Sequence, residues 1–178
     1  RGTKKDLLDG AVILFVPIFN VDGHERVAEF GRINQRGPSN AGWRNNALNL
    51  NLNRDYVKAD TPEIRAMLRA LQTWHPDLYV DLHVTDGADY QYDVTFGFNE
   101  QWGWSPAISR WLHDTLTPAL DHDLRAMGHH PGPLIQGVDG DDLTKGIVNW
   151  SATPRFSTGY GDAAHIPTVL VENHSLKG

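Results

Sequence analysis

Two residues with the chemistry for metal binding or acid–base catalysis, His83 and Glu172, each close a short apolar run. The run at residues 78–83 ends in His83, and the run at 167–172 ends in Glu172. A neutral imidazole can bind a metal ion, and a carboxylate can take a proton from water. Taken alone, His83 is more often a hydrogen-bonded core histidine. Glu172 would be costly to bury without a partner, so it indicates an ion pair, a hydrogen-bond network or a metal.

Two arginines in the polar segment at residues 20–60 could bind an anion. Arg44 follows Trp43, and Arg54 follows Asn53. A guanidinium group binds a carboxylate through two parallel hydrogen bonds, and it can stabilise an oxyanion where water is excluded. Composition alone favours the alternative, in which both arginines form solvated ion pairs on the surface. A loop of this length inside a compact domain is nevertheless more often functional than idle.

Buried strands must position these side chains. Continuous apolar, β-rich runs predict strands at residues 11–19, 78–83 and 167–172, and residues 90–98 are strand-like. In open α/β sheets the functional site lies at the carboxyl ends of the strands. The two strand-ending candidates are therefore expected to meet at one edge of the sheet.

Helices are predicted between these strands. Asp60 or Thr61 can cap a helix whose first turn accommodates Pro62, and a second helix is predicted after Ser105, with Pro118 as a candidate kink. Strands that alternate with helices predict an α/β domain. We expect a three-layer sandwich whose mixed, mostly parallel sheet is flanked by helices, forming one domain over residues 1–178.

Composition excludes several classes of function. The chain has 178 residues, a formal net charge of -6 and no cysteine. An acidic chain lacks the basic face that nucleic-acid binding requires, and no apolar run approaches the ~20 residues of a membrane span. Disulfides and thiolate metal ligands are excluded. Exported, periplasmic, secreted and cytoplasmic locations all stay open.

Five short segments occur in an order that is similar to one enzyme family. They are Asn20-Val21-Asp22-Gly23, Trp43-Arg44, Leu52-Asn53-Arg54, Asp81-Leu82-His83 and Leu170-Val171-Glu172. In this order they resemble the zinc carboxypeptidases of peptidase family M14, the carboxypeptidase A-like enzymes. That family has an N-P-D-G turn after a strand, a W-R pair, a D-x-N-R segment, a strand-ending His and a late strand-ending Glu. The order, rather than any one segment, makes the resemblance specific.

The resemblance implies a zinc-dependent metallocarboxypeptidase that acts on a peptide with a free C-terminal carboxylate. His83 would be the third zinc ligand, and Glu172 would be the general base that activates water at the zinc. Arg44 would polarise the scissile carbonyl and stabilise the tetrahedral intermediate. Asn53 and Arg54 would bind the substrate's C-terminal carboxylate.

The chain departs from the family pattern in its zinc ligands. The family's other two ligands come from a His-x-x-Glu motif before the first strand, and no such motif occurs at the matching place. The expectation is therefore a carboxyl-terminal portion of an M14 domain that lacks the first strands. One Zn²⁺ would bind in the full-length protein, while this portion alone would bind zinc weakly or not at all and be inactive.

Two further positions differ from the family or match it loosely. Asn51 stands where the family usually has an Asp that orients a zinc-ligand His, and Asp81 is a candidate to compensate. Tyr160 is the tyrosine nearest to the place of the family's mobile active-site tyrosine. It is equally well interpreted as a packed aromatic residue beside a Gly-rich loop.

Two alternative functions stay open at this point. One is an M14-like deacylase or amidase that acts on small N-acyl amino acids, although the Asn20 turn and the Trp43-Arg44 pair favour the peptidase. The other is a non-catalytic relative that binds peptides or glycans, which the missing ligands and Asn51 keep open. No residue defines a preference for one C-terminal side chain.

Overall fold

The computed structural model describes residues 8–100, 103–139 and 142–177, so the outermost residues of the predicted 1–178 domain lie outside the described part. The helices are α1 Val21–Glu25, α2 Pro62–Trp74, α3 Pro106–Trp111, α4 Thr117–Ala126 and α5 Ser157–Ala163. The strands are β1 Tyr79–Val84, β2 Val94–Gly97, β3 Pro131–Pro133, β4 Ile135–Gly137, β5 Ile147–Asn149 and β6 Thr168–Asn173. Short 3₁₀ turns lie at Leu52–Arg54 and Leu143–Lys145. Among the described residues, no helix has the length and apolar character needed to span a membrane.

The main sheet has four strands in the order β1-β6-β2-β3. Strand β6 runs parallel to β1 and antiparallel to β2, and β2 runs parallel to β3. Strands β4 and β5 form a separate antiparallel pair. The predicted α/β class is confirmed: the sheet is mixed, mostly parallel and flanked by helices.

Helix α2 begins at one of the two predicted capping residues, Thr61. The Thr61 hydroxyl accepts a hydrogen bond from the Ile64 amide at 3.3 Å, and Pro62 occupies the first turn. His75 ends the helix in the left-handed conformation, with a φ of 42°. Ile64 is fully buried against Leu52 and Tyr56, and this cluster is the hydrophobic core next to the 3₁₀ turn at Leu52–Arg54.

A π turn connects helices α3 and α4. It covers Leu112–Leu116 and lies directly before Pro118, the residue expected to kink the helix. Proline has no backbone N–H, so the helical hydrogen-bond pattern must change around it. The Thr117 hydroxyl donates to the Leu112 carbonyl at 3.0 Å, which satisfies an acceptor in the altered turn.

The predicted strand at residues 11–19 is wrong. This segment is unpaired, and its large apolar side chains before Phe19 are exposed, with 81% of Val12 and 77% of Phe15 accessible to solvent. A strand needs the backbone hydrogen bonds of a neighbour, and no strand of the described residues pairs with this segment. Strand β1 is itself at the edge of the sheet, and its outer face, which includes Leu82, is exposed as well.

Asp55 holds the start of helix α2 against the 3₁₀ turn, and its removal is expected to destabilise the protein. Its buried carboxylate accepts hydrogen bonds from the Thr61 amide at 2.8 Å, the Thr61 hydroxyl at 2.7 Å and the Asp60 amide at 3.0 Å. Asp55→Ala leaves buried donors without a partner, so the free energy of unfolding should fall by about 2–4 kcal/mol. Urea unfolding followed by circular dichroism measures this change.

Asp60→Ala is the matched control, because Asp60 is exposed and pairs only with the exposed Lys58 through its side chain. That variant should change the unfolding free energy by less than about 1 kcal/mol. Burial alone would raise the pKa of Asp55, but the hydrogen bonds from Thr61 and Asp60 outweigh it and hold the pKa below its usual range. The stabilisation is therefore present at neutral pH and is lost as the pH falls through the folded-state pKa. Equal stabilities of both variants would contradict the assignment.

Candidate active site

His83, Glu172 and Thr95 form a row across three strands. His83 on β1 is the register partner of Glu172 on β6, and Glu172 is in turn the register partner of Thr95 on β2. Neighbouring strands lie about 4.8 Å apart, and side chains in register point to the same face of a sheet. The structure therefore brings the two strand-ending candidates side by side. Thr95 was not expected in this row, because register between distant segments is not visible in the sequence.

His83 is hydrogen-bonded to Asp81 on the same strand. The His83 Nε2 atom lies 2.8 Å from Asp81 Oδ2, and residues two apart on a strand share a face. A carboxylate only accepts hydrogen bonds, so in the neutral imidazole Nε2 carries the proton and Nδ1 keeps its lone pair. Burial lowers the pKa of His83, but the hydrogen bond and charge of Asp81, together with Glu172, outweigh it and raise that pKa above its ordinary value.

Glu172 is a largely buried carboxylate beside a histidine. Burial raises the pKa of Glu172 above its ordinary value, and the nearby charge of Asp86 adds to this effect. The charges of His83 and Arg44 act in the opposite direction without cancelling it. A raised pKa brings a carboxylate closer to the basicity that a general base needs near neutral pH.

Arg44 is positioned by the turn at Asn20. The Asn20 side-chain amide donates to the Arg44 carbonyl at 3.1 Å, and the Trp43 amide donates to the Gly23 carbonyl at 2.8 Å. The Asp22 carboxylate accepts from the Ala47 amide at 3.0 Å. Two sequence motifs that lie about twenty residues apart are thus one hydrogen-bonded unit in space.

Four arginines crowd the same region. The Arg44 guanidinium donates to the Asp86 carboxylate at 3.3 Å, and both side chains are substantially exposed. Burial and the charge of Arg44 lower the pKa values of both Arg32 and Arg54, and Arg155 acts on Arg54 in the same direction. Positive groups that repel one another in this way favour the binding of an anion between them.

The 3₁₀ turn at Leu52–Arg54 positions the second predicted pair. Arg54 stacks on the Phe156 ring at 4.3 Å, and its guanidinium also donates to the Asn53 carbonyl at 2.7 Å. The Asn53 side-chain oxygen accepts from the Ser157 amide at 3.0 Å, which ties the turn to helix α5. Asn51 begins the turn, and its side-chain oxygen accepts from the Asn53 amide at 3.1 Å.

The two tyrosines near this region have different surroundings. Tyr160 packs against the hydrophobic core, with its ring 5.8 Å from that of Tyr56, so its predicted role in substrate binding stays a prediction. Tyr90 was not singled out by the sequence, yet burial and the charge of Glu172 raise the pKa of its phenol. Its ring also meets the buried His174 edge-on at 4.8 Å. Tyr90 is therefore the tyrosine whose environment includes Glu172.

A cavity of about 620 Å³ lies next to this cluster, which is large enough for a small ligand. Its walls are residues 33–36, residues 86–89 and Leu176. Asp86 lines the cavity and also accepts the hydrogen bond from Arg44, so the cavity adjoins the arginine cluster. Sequence patterns did not reveal Asp86, because it lies in a loop with no periodic signal.

The described residues supply only part of a metal site. They contain no group of three or more His, Asp or Glu side chains arranged to hold a metal ion. The residues that are present nevertheless fit one ligand of a zinc site, His83, together with its neighbouring carboxylates. His83 has a free Nδ1 lone pair, a carboxylate behind its other nitrogen and a second carboxylate in the adjacent register position.

The family model described as zinc carboxypeptidase, peptidase family M14, matches residues 2–128. The chain belongs to the zinc carboxypeptidase family. The matched span includes Arg44, Arg54 and His83, whereas Glu172 lies beyond it. No curated protein matches the sequence significantly.

Solved metallo-carboxypeptidases share the fold of this zinc carboxypeptidase-family chain. The enzyme from Burkholderia cenocepacia is 18% identical with a TM-score of 0.53, and the match covers 76% of this chain and 32% of that chain. A metallo-carboxypeptidase from Pseudomonas aeruginosa, in complex with (2-guanidinoethylmercapto)succinic acid, is 19% identical with a TM-score of 0.52 over 75% and 32% of the two chains. This chain therefore spans about a third of the length of these structures.

Gly23→Ala is expected to break the unit that holds Arg44. A Cβ at Gly23 would lie 2.3 Å from the Asn20 side-chain nitrogen and 2.4 Å from the Trp43 carbonyl oxygen, so backbone must move. The unfolding free energy should fall by about 1–3 kcal/mol, as measured by urea unfolding. Gly10→Ala is the control, because no atom lies within 4 Å of an added Cβ there. A Gly23→Ala protein as stable as the control would contradict the close packing of this turn.

Glu172→Gln is expected to stabilise the metal-free protein at neutral pH. The folded-state pKa of Glu172 is raised above its unfolded value, so its contribution to stability is fully present below the unfolded-state pKa and is lost as the pH rises through the folded-state pKa. Glutamine removes the buried charge, so the variant should have the higher melting temperature at pH 7 and an equal one near pH 4. The exposed Glu29→Gln serves as a control. A lower melting temperature of Glu172→Gln at pH 7 would show that ionised Glu172 stabilises the fold.

Proposed function

We propose that this chain carries the general base, one zinc ligand and the substrate-binding arginines of a metallocarboxypeptidase. The enzyme would hydrolyse the C-terminal peptide bond of a peptide. The observation that carries this proposal is the adjacent register of His83 and Glu172 on one face of the sheet, beside a cluster of arginines. Membership of the zinc carboxypeptidase family supports it.

Glu172 acts as the general base in this proposal. Its carboxylate is buried at the carboxyl end of β6, and its raised pKa makes it a better proton acceptor than an exposed glutamate. His83, the proposed metal ligand, is the register neighbour of this carboxylate. After the attack, the protonated Glu172 can return its proton to the leaving amine, which completes the hydrolysis.

Arg44 stabilises the negative charge that develops on the scissile carbonyl. Its backbone is held by the Asn20 turn, which fixes the point from which the side chain reaches the site. Its exposed side chain reaches Asp86 in the absence of substrate. A substrate oxyanion would compete with this carboxylate, and the exchange costs little because a solvated ion pair contributes little.

Arg54 and Asn53 bind the substrate's C-terminal carboxylate in this proposal. Stacking on Phe156 orients the Arg54 guanidinium, and the link from Asn53 to Ser157 holds the turn in place. Arg44 and Arg155 add their positive charge to that of Arg54, and a bound carboxylate would compensate this excess. Tyr160 would contribute from the edge of the neighbouring hydrophobic core.

One Zn²⁺ is part of this proposal, with His83 as a ligand. The described residues contain no group of three metal ligands, so in this proposal the two further protein ligands come from outside them. When bound, zinc would lower the pKa of a water molecule and polarise the carbonyl of the scissile bond. Of the described residues, Asp81 orients the ligand and Glu172 moves the proton.

Two variants of the full-length protein separate chemistry from binding. Glu172→Gln should lower kcat on a peptide with a free C-terminal carboxylate by about 10²–10⁴-fold, while zinc content stays unchanged. Arg54→Lys should raise KM more than it lowers kcat, because a point charge replaces a two-pronged contact. Release of the C-terminal residue, measured by mass spectrometry, reports both changes. The exposed Arg69→Lys is the control.

A peptide with a C-terminal amide tests the substrate class directly, since it lacks the carboxylate that Arg54 binds. We expect it to be cleaved far more slowly than the free acid. Zinc binding with cleavage of small N-acyl amino acids, but not of peptides, would favour the deacylase alternative. Full-length protein that binds no zinc and cleaves neither substrate would be a non-catalytic relative.

A further inference from the structure

The best-defined polar contact at the site is the hydrogen bond between Asp81 and His83. The distance from Oδ2 to Nε2 is 2.8 Å, and the two side chains are only 19% and 27% exposed. Both residues belong to strand β1, on the same face of the sheet. The contact therefore lies within one strand, and it exists before any metal binds.

We propose that Asp81 is a positioning residue that holds His83 in the Nε2–H tautomer and leaves Nδ1 as its metal-binding atom. A carboxylate behind a ligand histidine fixes the ring and increases the electron density at the other nitrogen. The inference deepens the proposed function and rests on it for the identity of the metal. The tautomer itself depends only on the geometry of strand β1.

No other described acceptor competes for this role. Asn51, the position at which the family resemblance led us to look for an orienting carboxylate, uses its side-chain oxygen to accept from the Asn53 amide at 3.1 Å. Glu172, the other carboxylate beside His83, has no hydrogen bond to the imidazole among the described contacts. Arg44, whose charge also reaches His83, can only donate.

The surroundings of Asp81 shield this hydrogen bond from water. Tyr79 lies two residues earlier on the same face of β1, and its hydroxyl is 2.8 Å from that of Tyr56. Burial raises the pKa values of both phenols, and the charge of Asp81 raises them further, which places the carboxylate close to this pair. Both tyrosines therefore stay neutral, and a hydrogen bond in such a poorly hydrated region is stronger than one at the surface.

The tautomer can be measured without metal or substrate. Long-range ¹H–¹⁵N NMR spectra of the metal-free, ¹⁵N-histidine-labelled protein distinguish the protonated ring nitrogen. We expect His83 to be protonated at Nε2, with a slowly exchanging, downfield proton. His129 provides an internal contrast, because its Nδ1 atom lies 3.0 Å from Asp93 Oδ2 and should carry the proton instead. A neutral His83 that is protonated at Nδ1 rather than Nε2 in the wild-type protein would overturn the inference without any variant.

Two substitutions of Asp81 separate its hydrogen bond, which orients the His83 ring, from its negative charge. In Asp81→Asn the amide oxygen still accepts from Nε2–H, so the protected proton should persist. In Asp81→Ala it should be lost. Zinc affinity of the full-length protein, measured by competition with a chelator, should fall by about 10–100-fold in Asp81→Asn and at least as much in Asp81→Ala.

Asp93→Asn is the matched control, since it alters a different Asp–His pair, Asp93 with His129, and should leave zinc affinity unchanged. Unchanged zinc affinity in Asp81→Ala, or a retained downfield proton there, would overturn the inference. Neither readout uses a peptide. A protein with the expected tautomer and zinc affinities that cleaves no peptide would therefore refute the proposed function and leave the role of Asp81 standing.

Discussion

The register of strand β6 is the constraint on which the candidate site depends. Glu172 lies beside His83 because β6 pairs with β1 in a fixed parallel register that runs from Tyr79 opposite Thr168 to Val84 opposite Asn173. Side chains alternate between the two faces of a strand, so a slip of one residue would turn Glu172 to the opposite face. Bonds at both ends of the pair, from the Tyr79 amide to the Pro167 carbonyl at 2.8 Å and from the Thr85 amide to the Asn173 carbonyl at 2.9 Å, oppose such a slip.

The charged groups at the site belong to two kinds of element, paired strands and surface turns. The carboxylates of Asp81 and Glu172 and the imidazole of His83 stand on paired strands, where burial and neighbouring charges shift the pKa values of His83 and Glu172. The arginines lie on turns that hydrogen bonds stabilise, such as the one from the Asn20 side-chain amide to the Arg44 carbonyl. Rigid strands would suit the metal-binding and proton-transfer roles proposed for these groups. In the same proposal, arginines on surface turns would exchange a protein carboxylate for a substrate anion at little cost.

The sequence correctly predicted the strands that end near His83 and Glu172. Its prediction of a strand at residues 11–19 was wrong, because no strand in the part of the chain that the structure describes pairs with that segment. Strands β1 and β6 and helix α2 form as predicted, because local signals such as the Thr61 cap and the apolar runs agree with the tertiary packing. Residues 11–19 carry an equally strong strand signal and yet remain unpaired and exposed. The periodicity of apolar residues reports a tendency to be buried, whereas a strand forms only when a partner supplies the backbone hydrogen bonds.

By itself, the sequence determined the fold class, the family resemblance and the identity of His83, Glu172, Arg44 and Arg54 as candidates, because residue type and order along the chain suffice for these. Only the tertiary structure decided that His83 donates to Asp81, that Thr95 lies in the row with Glu172, and that Asp86 and Tyr90 belong to the surroundings of the site. It also placed Tyr160 against the hydrophobic core. These facts depend on strand register and loop path, which are set by contacts between distant residues and leave no periodic trace in the sequence.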